Sequence, residues 1–351
     1  MKVLCDLHHK DLFYSLQLLF EKRLGYTIYR PIGLAWYLEG YWKVYDHPST
    51  AKQYLSIEGQ VPLSVHGVPV TKEYGEIAWV NKNAQELLPG LYRIPDRQHE
   101  KPIPHIGITL QAFKDTKFDL IVCSMPPHLP VFRKLRDQFQ PQAKLIFQAG
   151  NDWGTIDAEN LLTSAKHTTS SRRNANVVRY HQEFDLEAYK PGPCENPRSI
   201  INLQHYSSSV SKLEQVAKYL PNWDLKIYGA GGRDGHVVSI KLPRKLNDTG
   251  FLWHVKAQEG YGYNIHTAFA CGTPVIVGYS YQKGHTAGDL YVLDQTVIDA
   301  NTNTPQQIAE KLIIAADNYE EWSYRVYKQF RKVVNFDKEF EDIKVFLQNL
   351  R

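Results

Sequence analysis

The residues best suited to chemistry fall in one stretch, 256–276, which reads KAQEGYGYNIHTAFACGTPVI. It opens with a cation, Lys256, and a carboxylate, Glu259, and then passes through Gly260 and Gly262. Glycines at this spacing let the backbone turn tightly and bring exposed N–H groups up to a ligand. A helix over 264–271 follows, ended by Gly272, and then a buried-strand run over 273–278. The first turn of such a helix is electropositive, so its N-terminus suits a diphosphate. A glycine turn alone does not specify a ligand, because a purely structural turn has the same composition.

The elements that must position this stretch can be read on either side of it. Residues 2–7 (KVLCDL) form a strand, 12–24 a helix with Leu12, Leu16, Leu19 and Phe20 at helical spacing, and 26–30 a second strand. Between the first strand and the helix lie His8 and His9, and an imidazole there can act as a base or bind a phosphate or sugar. Asp11 suits a helix cap. Residues 32–104, rich in Tyr, Trp and Pro, read as irregular insertions with a few short elements. Strands follow at 118–123 and 144–148 with a helix over 131–139 between them, and 176–179 is the last strand of this half. Gln148 to Asp152 follows a strand end and forms a second rim, where Asn151 and Asp152 are candidates and Asp152 also suits a cap. Pro191, Gly192, Pro193 and Pro197 mark a linker.

The alternation then restarts, with strands at 199–203, 224–228, 251–255 and 273–278. Ser207, Ser208 and Ser209 cap a helix that reaches Tyr219, and 305–351 is helical with turns at Asn318 and Phe336. Two successive β/α sets joined by a proline linker predict an α/β protein of two Rossmann-like domains facing across a cleft. They occupy residues 1–190 and 198–335, with 336–351 a helix crossing back to the first. In open α/β sheets ligands bind beyond the carboxyl ends of the strands, which is where the 259–262 bend falls.

The composition agrees with that reading. A chain of 351 residues has the length of two domains, and 43% hydrophobic with 22% charged residues is globular. The net charge of +4 permits a polyanionic partner without demanding one. Cys5, Cys123, Cys194 and Cys271 are scattered, with no metal-ligand spacing. There is no D-x-D motif and no histidine–carboxylate metal spacing, so no metal is expected. No stretch has the roughly 20 apolar residues of a membrane span and no signal peptide is evident, which predicts a cytoplasmic protein. The 22 Tyr and 7 Trp either stack on sugars or bases or pack the cores. Nothing in the sequence specifies an oligomeric state.

Glu259, Gly260, Tyr261, Gly262, Ala270, Gly272, Pro274, Val275 and Ile276 together resemble the donor-binding signature of GT-B glycosyltransferases. The similarity is to the retaining family 4 (group 1) type, which carries glutamate, seven residues, glutamate. It implies a sugar transferred from a nucleoside diphosphate sugar, a UDP-sugar by expectation, with no metal and no other cofactor. Glu259 would sit against the donor sugar, and the backbone of Gly262, Tyr263 and Asn264 would meet the diphosphate. Thr267 stands where the family has its second, ribose-gripping glutamate. The family places an arginine and a lysine after the first strand of this domain; here Lys212 and the Ser207 cap are the candidates, His205 is ambiguous, and Arg233 and Lys256 are further cations. On the acceptor side the resemblance gives His8 or His9 a catalytic role.

The opening, 6–25, also looks like phage-encoded glycosyltransferases. That likeness implies a hydroxymethylated DNA base as acceptor, with Arg172, Arg173, Arg179, Lys241, Arg244 and Lys245 as phosphate contacts. An envelope glycan or lipid-linked sugar is the competing acceptor. A catalytically silent nucleotide-sugar-binding protein is the alternative of another class.

Overall fold

The computed structural model describes residues 1–7, 10–32, 63–65, 68–70, 84–95, 101–203, 210–229, 232–235, 237–256 and 259–351. Runs such as LIVC and FLWH, buried at every position, need cover on both faces, and a parallel sheet between helices provides it. The first nine-stranded sheet contains β1 (Lys2–Cys5) and β2 (Thr27–Pro31); β3 (Leu63–Val65) and β4 (Val68–Val70) pair only with each other. It continues through β5 (Gln85–Leu88), β6 (Leu91–Ile94), β7 (His105–Ile108), β8 (Leu120–Cys123) and β9 (Lys144–Ala149). After β10 (Thr155–Ile156) come β11 (Asn160–Thr163), β12 (Thr169–Ser170), which pairs with β10, and β13 (Asn176–Arg179). Across the sheet the order is β13-β11-β9-β8-β1-β2-β7-β6-β5, parallel from β13 to β7 and antiparallel at the β6–β5 edge.

The second sheet holds β14 (Ser199–Asn202), β15 (Asp224–Ile227), β16 (Phe251–His254), β17 (Val275–Val277) and β18 (Val297–Asp299). Its order is β15-β14-β16-β17-β18, parallel throughout. Strand order reverses between β1 and β8 in the first sheet and between β14 and β16 in the second. Each reversal leaves a crevice beyond the strand ends, the usual seat of a ligand.

Each sheet is covered on both faces. Phe113, Phe132 and Phe147 pack one side of the first, and Leu16, Phe20 and Ile146 the other. Phe269, Phe330 and Leu252 fill one side of the second, and Trp253, Phe251 and Leu312 the other. Phe184 and Tyr189, before the proline-rich stretch, belong to the second sheet's core. The helix Phe336–Gln348 lies on the first sheet instead, with Ile343 and Phe346 against Val3, Leu16 and Phe20. The Arg351 main chain exchanges two hydrogen bonds with the Asn160 amide, at 3.1 and 3.2 Å. Where the two crossings pass, Glu339 takes the His181 N–H and Nδ1 at 2.7 Å each. Beside them Arg23 bridges Glu183 at 2.7 Å and Asp337 at 2.8 Å.

Some elements differ from expectation. The 12–24 helix is a helix Lys10–Gln17 that widens into a π-helical turn Leu18–Arg23, where Leu24 N reaches back to Leu19 O. Strands β7, β11 and β18 (HIGI, NLLT, VID) are absent from the sequence reading because His, Gly, Asn and Asp break their apolar runs. Asn160 is tolerated with no exposure because its amide donates to Leu145 O at 3.0 Å. Three of the cysteines are buried and all four are free. No helix among the described residues is long and apolar enough to cross a membrane.

Candidate functional site

Beyond β16 the chain must leave the sheet and re-enter a helix within a few residues. Gly262 makes that reversal at φ +80°, in the left-handed region, and a Cβ there would lie 2.8 Å from the Ala287 methyl. The helix Tyr263–Cys271 starts at that point and ends at Gly272, again left-handed at φ +75°. Ile265 N and His266 N return to Gly262 O at 2.9 and 3.1 Å. The amides of Gly262, Tyr263 and Asn264 have no hydrogen-bond partner among the described residues. Three donors at the head of a helix, beside the β14–β16 crevice, are what an anion needs.

The bend also touches the first half of the chain. A Cβ on Gly260 would lie 2.3 Å from Asn151 Oδ1, so a side chain there would push Asn151 aside. Tyr261 turns inward and stacks on His266 at 4.1 Å between ring centres, and its hydroxyl accepts the Gln182 N–H at 3.0 Å.

Glu259 lies behind the bend with its side chain 3% exposed. His254 Nε2 is 2.8 Å from Oε2 and the Gln282 amide donates to the same oxygen at 3.1 Å. Oε1 accepts the Gly260 N–H at 3.2 Å and lies 3.5 Å from Lys256 Nζ. Burial alone would raise its pKa. The His254 contact, Lys256 and the Gly260 amide outweigh burial and hold it down at about 2. His254 is pushed below its ordinary value, first by burial and then by Lys256, so it is a neutral imidazole at neutral pH. A carboxylate only accepts, so Nε2 carries the proton and Nδ1 is buried without a hydrogen-bond partner. To accept a sugar hydroxyl, Glu259 must release one of these contacts.

The other expected residues are distributed as follows. Thr267 is fully buried, and its hydroxyl donates within its own helix to Tyr263 O and Asn264 O at 3.2 and 3.1 Å. Lys212 turns its ammonium onto the carbonyls of Ala300 and Asn303. Arg233 is exposed at the tip of the turn after β15, 3.6 Å from Asp234. His8, His9, His205 and Ser207 lie outside the described residues. Among the basic residues, Arg172 is paired with Asp157, Arg179 donates to Lys166 O at 3.3 Å, and Arg244 lies 3.4 Å from Asp248. Lys245 lies over the Tyr228 ring.

Folding also joins several groups that no spacing in the sequence connects. In the first sheet's crevice the fully buried Asp6 accepts the Ser124 N–H and hydroxyl at 2.7 Å each, and His128 Nδ1 lies 2.6 Å away. Across the seam between the halves, Asp152 Oδ2 meets His285 Nδ1 at 2.6 Å, and Lys166 Nζ meets Asp289 at 2.8 Å. Thr286 donates to Ser164 O at 2.9 Å. Asp11 reaches across as well, taking the Ser239 hydroxyl at 3.1 Å. Tyr14, Lys101, Tyr189, Ser239 and Tyr263 line a narrow pocket at this junction.

Two sheets of this order, with crevices at their strand ends and the C-terminal helix on the first, define the GT-B fold, the fold of the solved glycosyltransferases this chain resembles. HepE from Anabaena, in complex with UDP, matches with a TM-score of 0.57 at 11% identity, covering 99% of this chain and 99% of that one. A TarM from S. aureus, whose complex holds UDP, matches at 0.58 with 10% identity over 98% and 99% of the two chains. The pneumococcal O-GlcNAc transferase GtfA, with UDP and GlcNAc, matches at 0.56 with 11% identity over 99% and 98%. No protein-family model matches the sequence, and no curated protein sequence does.

Proposed function

We propose that this protein is a glycosyltransferase that moves a sugar from a nucleoside diphosphate sugar, a UDP-sugar by the likeness to UDP-bound relatives, to an acceptor hydroxyl. The observation that carries the reading is the set of partnerless amides of Gly262, Tyr263 and Asn264 opening a helix at the β14–β16 crevice. They would take the diphosphate, and the ionised Glu259 would face the donor sugar once a contact is released. Residues 1–190 would form the acceptor side and 198–335 the donor side, with 336–351 as the returning helix.

In the retaining course we favour, the acceptor oxygen bonds to the anomeric carbon as the bond to the diphosphate breaks. The acceptor's proton passes to the departing phosphate oxygen. Amide dipoles stabilise the charge that develops there, so this step calls for no metal. Three of the four arginines expected at a DNA backbone, Arg172, Arg179 and Arg244, are engaged with Asp157, Lys166 O and Asp248, so they lend no weight to a hydroxymethylated base as acceptor. The proposal therefore stops at an acceptor hydroxyl.

A thermal-shift screen against nucleoside diphosphates and their sugars tests the reading, since a ligand bound only by the native state raises its melting temperature. We expect a rise with UDP, and slow release of UDP from a UDP-sugar. A melting temperature unmoved by any of them, with no turnover, refutes it; a rise without turnover on any acceptor would leave the silent binding protein.

A further inference from the structure

The contacts that hold Glu259 are not equally easy to give up. His254 and Gln282, which hold Oε2, are both buried, and the Gly260 N–H on Oε1 is fixed by the main chain. Lys256 differs from all three. Its side chain is 32% exposed, and its 3.5 Å approach to Oε1 is the longest of the set. A partly exposed ion pair is weak, whereas stripping a buried partner from a charge is costly. The contact that Glu259 can release is therefore the one to Lys256. That ammonium sits on a flexible stem and shares Oε1 with the Gly260 amide, so it already lies beside the donor bend. Lys212 and Arg233, the other cations expected at the phosphates, are engaged elsewhere: Lys212 on the carbonyls of Ala300 and Asn303, Arg233 at an exposed turn beside Asp234.

We propose that Lys256 is a switch between the two parts of the donor: its ammonium leaves Glu259 Oε1 for the incoming diphosphate, and that oxygen then accepts a hydroxyl of the donor sugar. The inference rests on the glycosyltransferase reading and adds an order of events to it, with the diphosphate in place before Glu259 takes the sugar. Charge drives the exchange in that direction, because a diphosphate carries more negative charge than one carboxylate. The hydroxyl that replaces the ammonium keeps Oε1 hydrogen-bonded, so no buried lone pair is stranded. During transfer the bond from the anomeric carbon gives its electron pair to the departing phosphate oxygen, and the ammonium beside it offsets the charge that the diphosphate gains. A sugar without a diphosphate finds Oε1 still taken, so the switch selects for activated donors.

The test uses the full chain. In Lys256→Met the calorimetric affinity for UDP should fall at least about tenfold, and Lys256→Arg should restore most of it. Lys256 is partly exposed, so both variants keep the fold, and circular dichroism checks this. UDP has no sugar, so a lysine that did no more than prop Glu259 would leave its affinity unchanged; that result overturns the proposal. The hand-over itself is read by carbon-13 labelling of the glutamate side-chain carboxyls, with the Glu259 signal assigned by its absence in Glu259→Gln. Saturating UDP should move the parent's signal to near where Lys256→Met has it without UDP. A signal that UDP leaves in place overturns the proposal too. In both of these cases the parent still binds UDP and the wider reading stands, whereas a parent that binds no UDP ends both.

Discussion

Both halves of the molecule bury a carboxylate against a histidine at the crevice of their sheet, and the two pairs are put to different use. Asp6 lies just past the end of β1, and its carboxylate bonds Ser124 and His128 beyond the neighbouring strand. It therefore fastens β1 to the turn after β8. Glu259 lies five residues past His254, outside the sheet, and its contacts come from the strand end, Lys256, its own bend and Gln282. It braces a bend whose amides at Gly262, Tyr263 and Asn264 have no hydrogen-bond partner among the described residues. The same pairing makes a clamp where the carboxylate stays beside its strand, and a charged support where it moves into the bend.

Substitutions can separate these roles. The largest effect should come from Asp6→Ala, which strands two donors and a histidine in the interior and should cost about 3–5 kcal/mol, read as a fall in melting temperature. An unchanged melt would remove the clamp. Glu259→Gln keeps the shape and loses the charge. We expect transfer to drop by about 10²–10³-fold while UDP still binds within a fewfold. Wild-type turnover in that variant would erase the distinction between the two carboxylates.

Acid sharpens the contrast further. The Glu259 pKa is depressed from 4.5 to about 2, so its stabilisation is complete above about 4.5 and is lost as pH falls through about 2. That difference is worth about 3 kcal/mol. His254, held below 6.5, adds a loss in the same direction that begins as pH drops under 6.5. Denaturant midpoints measured against pH should therefore fall less steeply between 4.5 and 2 in Glu259→Gln than in the parent chain; parallel curves would contradict this.

Gly262→Ala should cost about 1–2 kcal/mol for a left-handed side chain and weaken nucleoside diphosphate binding as the bend shifts. Undiminished affinity would show that the amides are not the ligand. The smallest effect should belong to Thr267→Val, at most about 1 kcal/mol of stability and no change in UDP affinity, because the hydroxyl is spent within the helix. A tenfold loss of affinity would restore a ribose contact.

The 259–276 stretch was legible because its determinants are local: two glycines, a short helix, a terminating glycine and a buried strand. The capture of the Thr267 hydroxyl by its own helix is also local, and the tendency of threonine to bond back one turn was a signal left unused. The support of Glu259 was not legible, since Gln282 is 23 positions away and no periodicity joins them. Asp152 suited a cap, and it does accept the His167 N–H at 2.9 Å; its reach to His285, 133 positions on, exists only in the fold. Lys212 reads as an ordinary helix lysine, and its seat on two carbonyls depends on where β18 ends.

The side-by-side crossings carry one more consequence. Because His181 and Glu183 are fastened to Glu339, Arg23 and Asp337, the two covalent passages between the halves that the described residues show meet at a single spot. Two chain passes joined at one point resist sliding and permit swinging, so any displacement is smallest at that pivot and grows with distance from it. A substrate mouth placed far from the pivot can thus gape widely for a small angular change, while the hydrophobic interiors of both halves stay untouched.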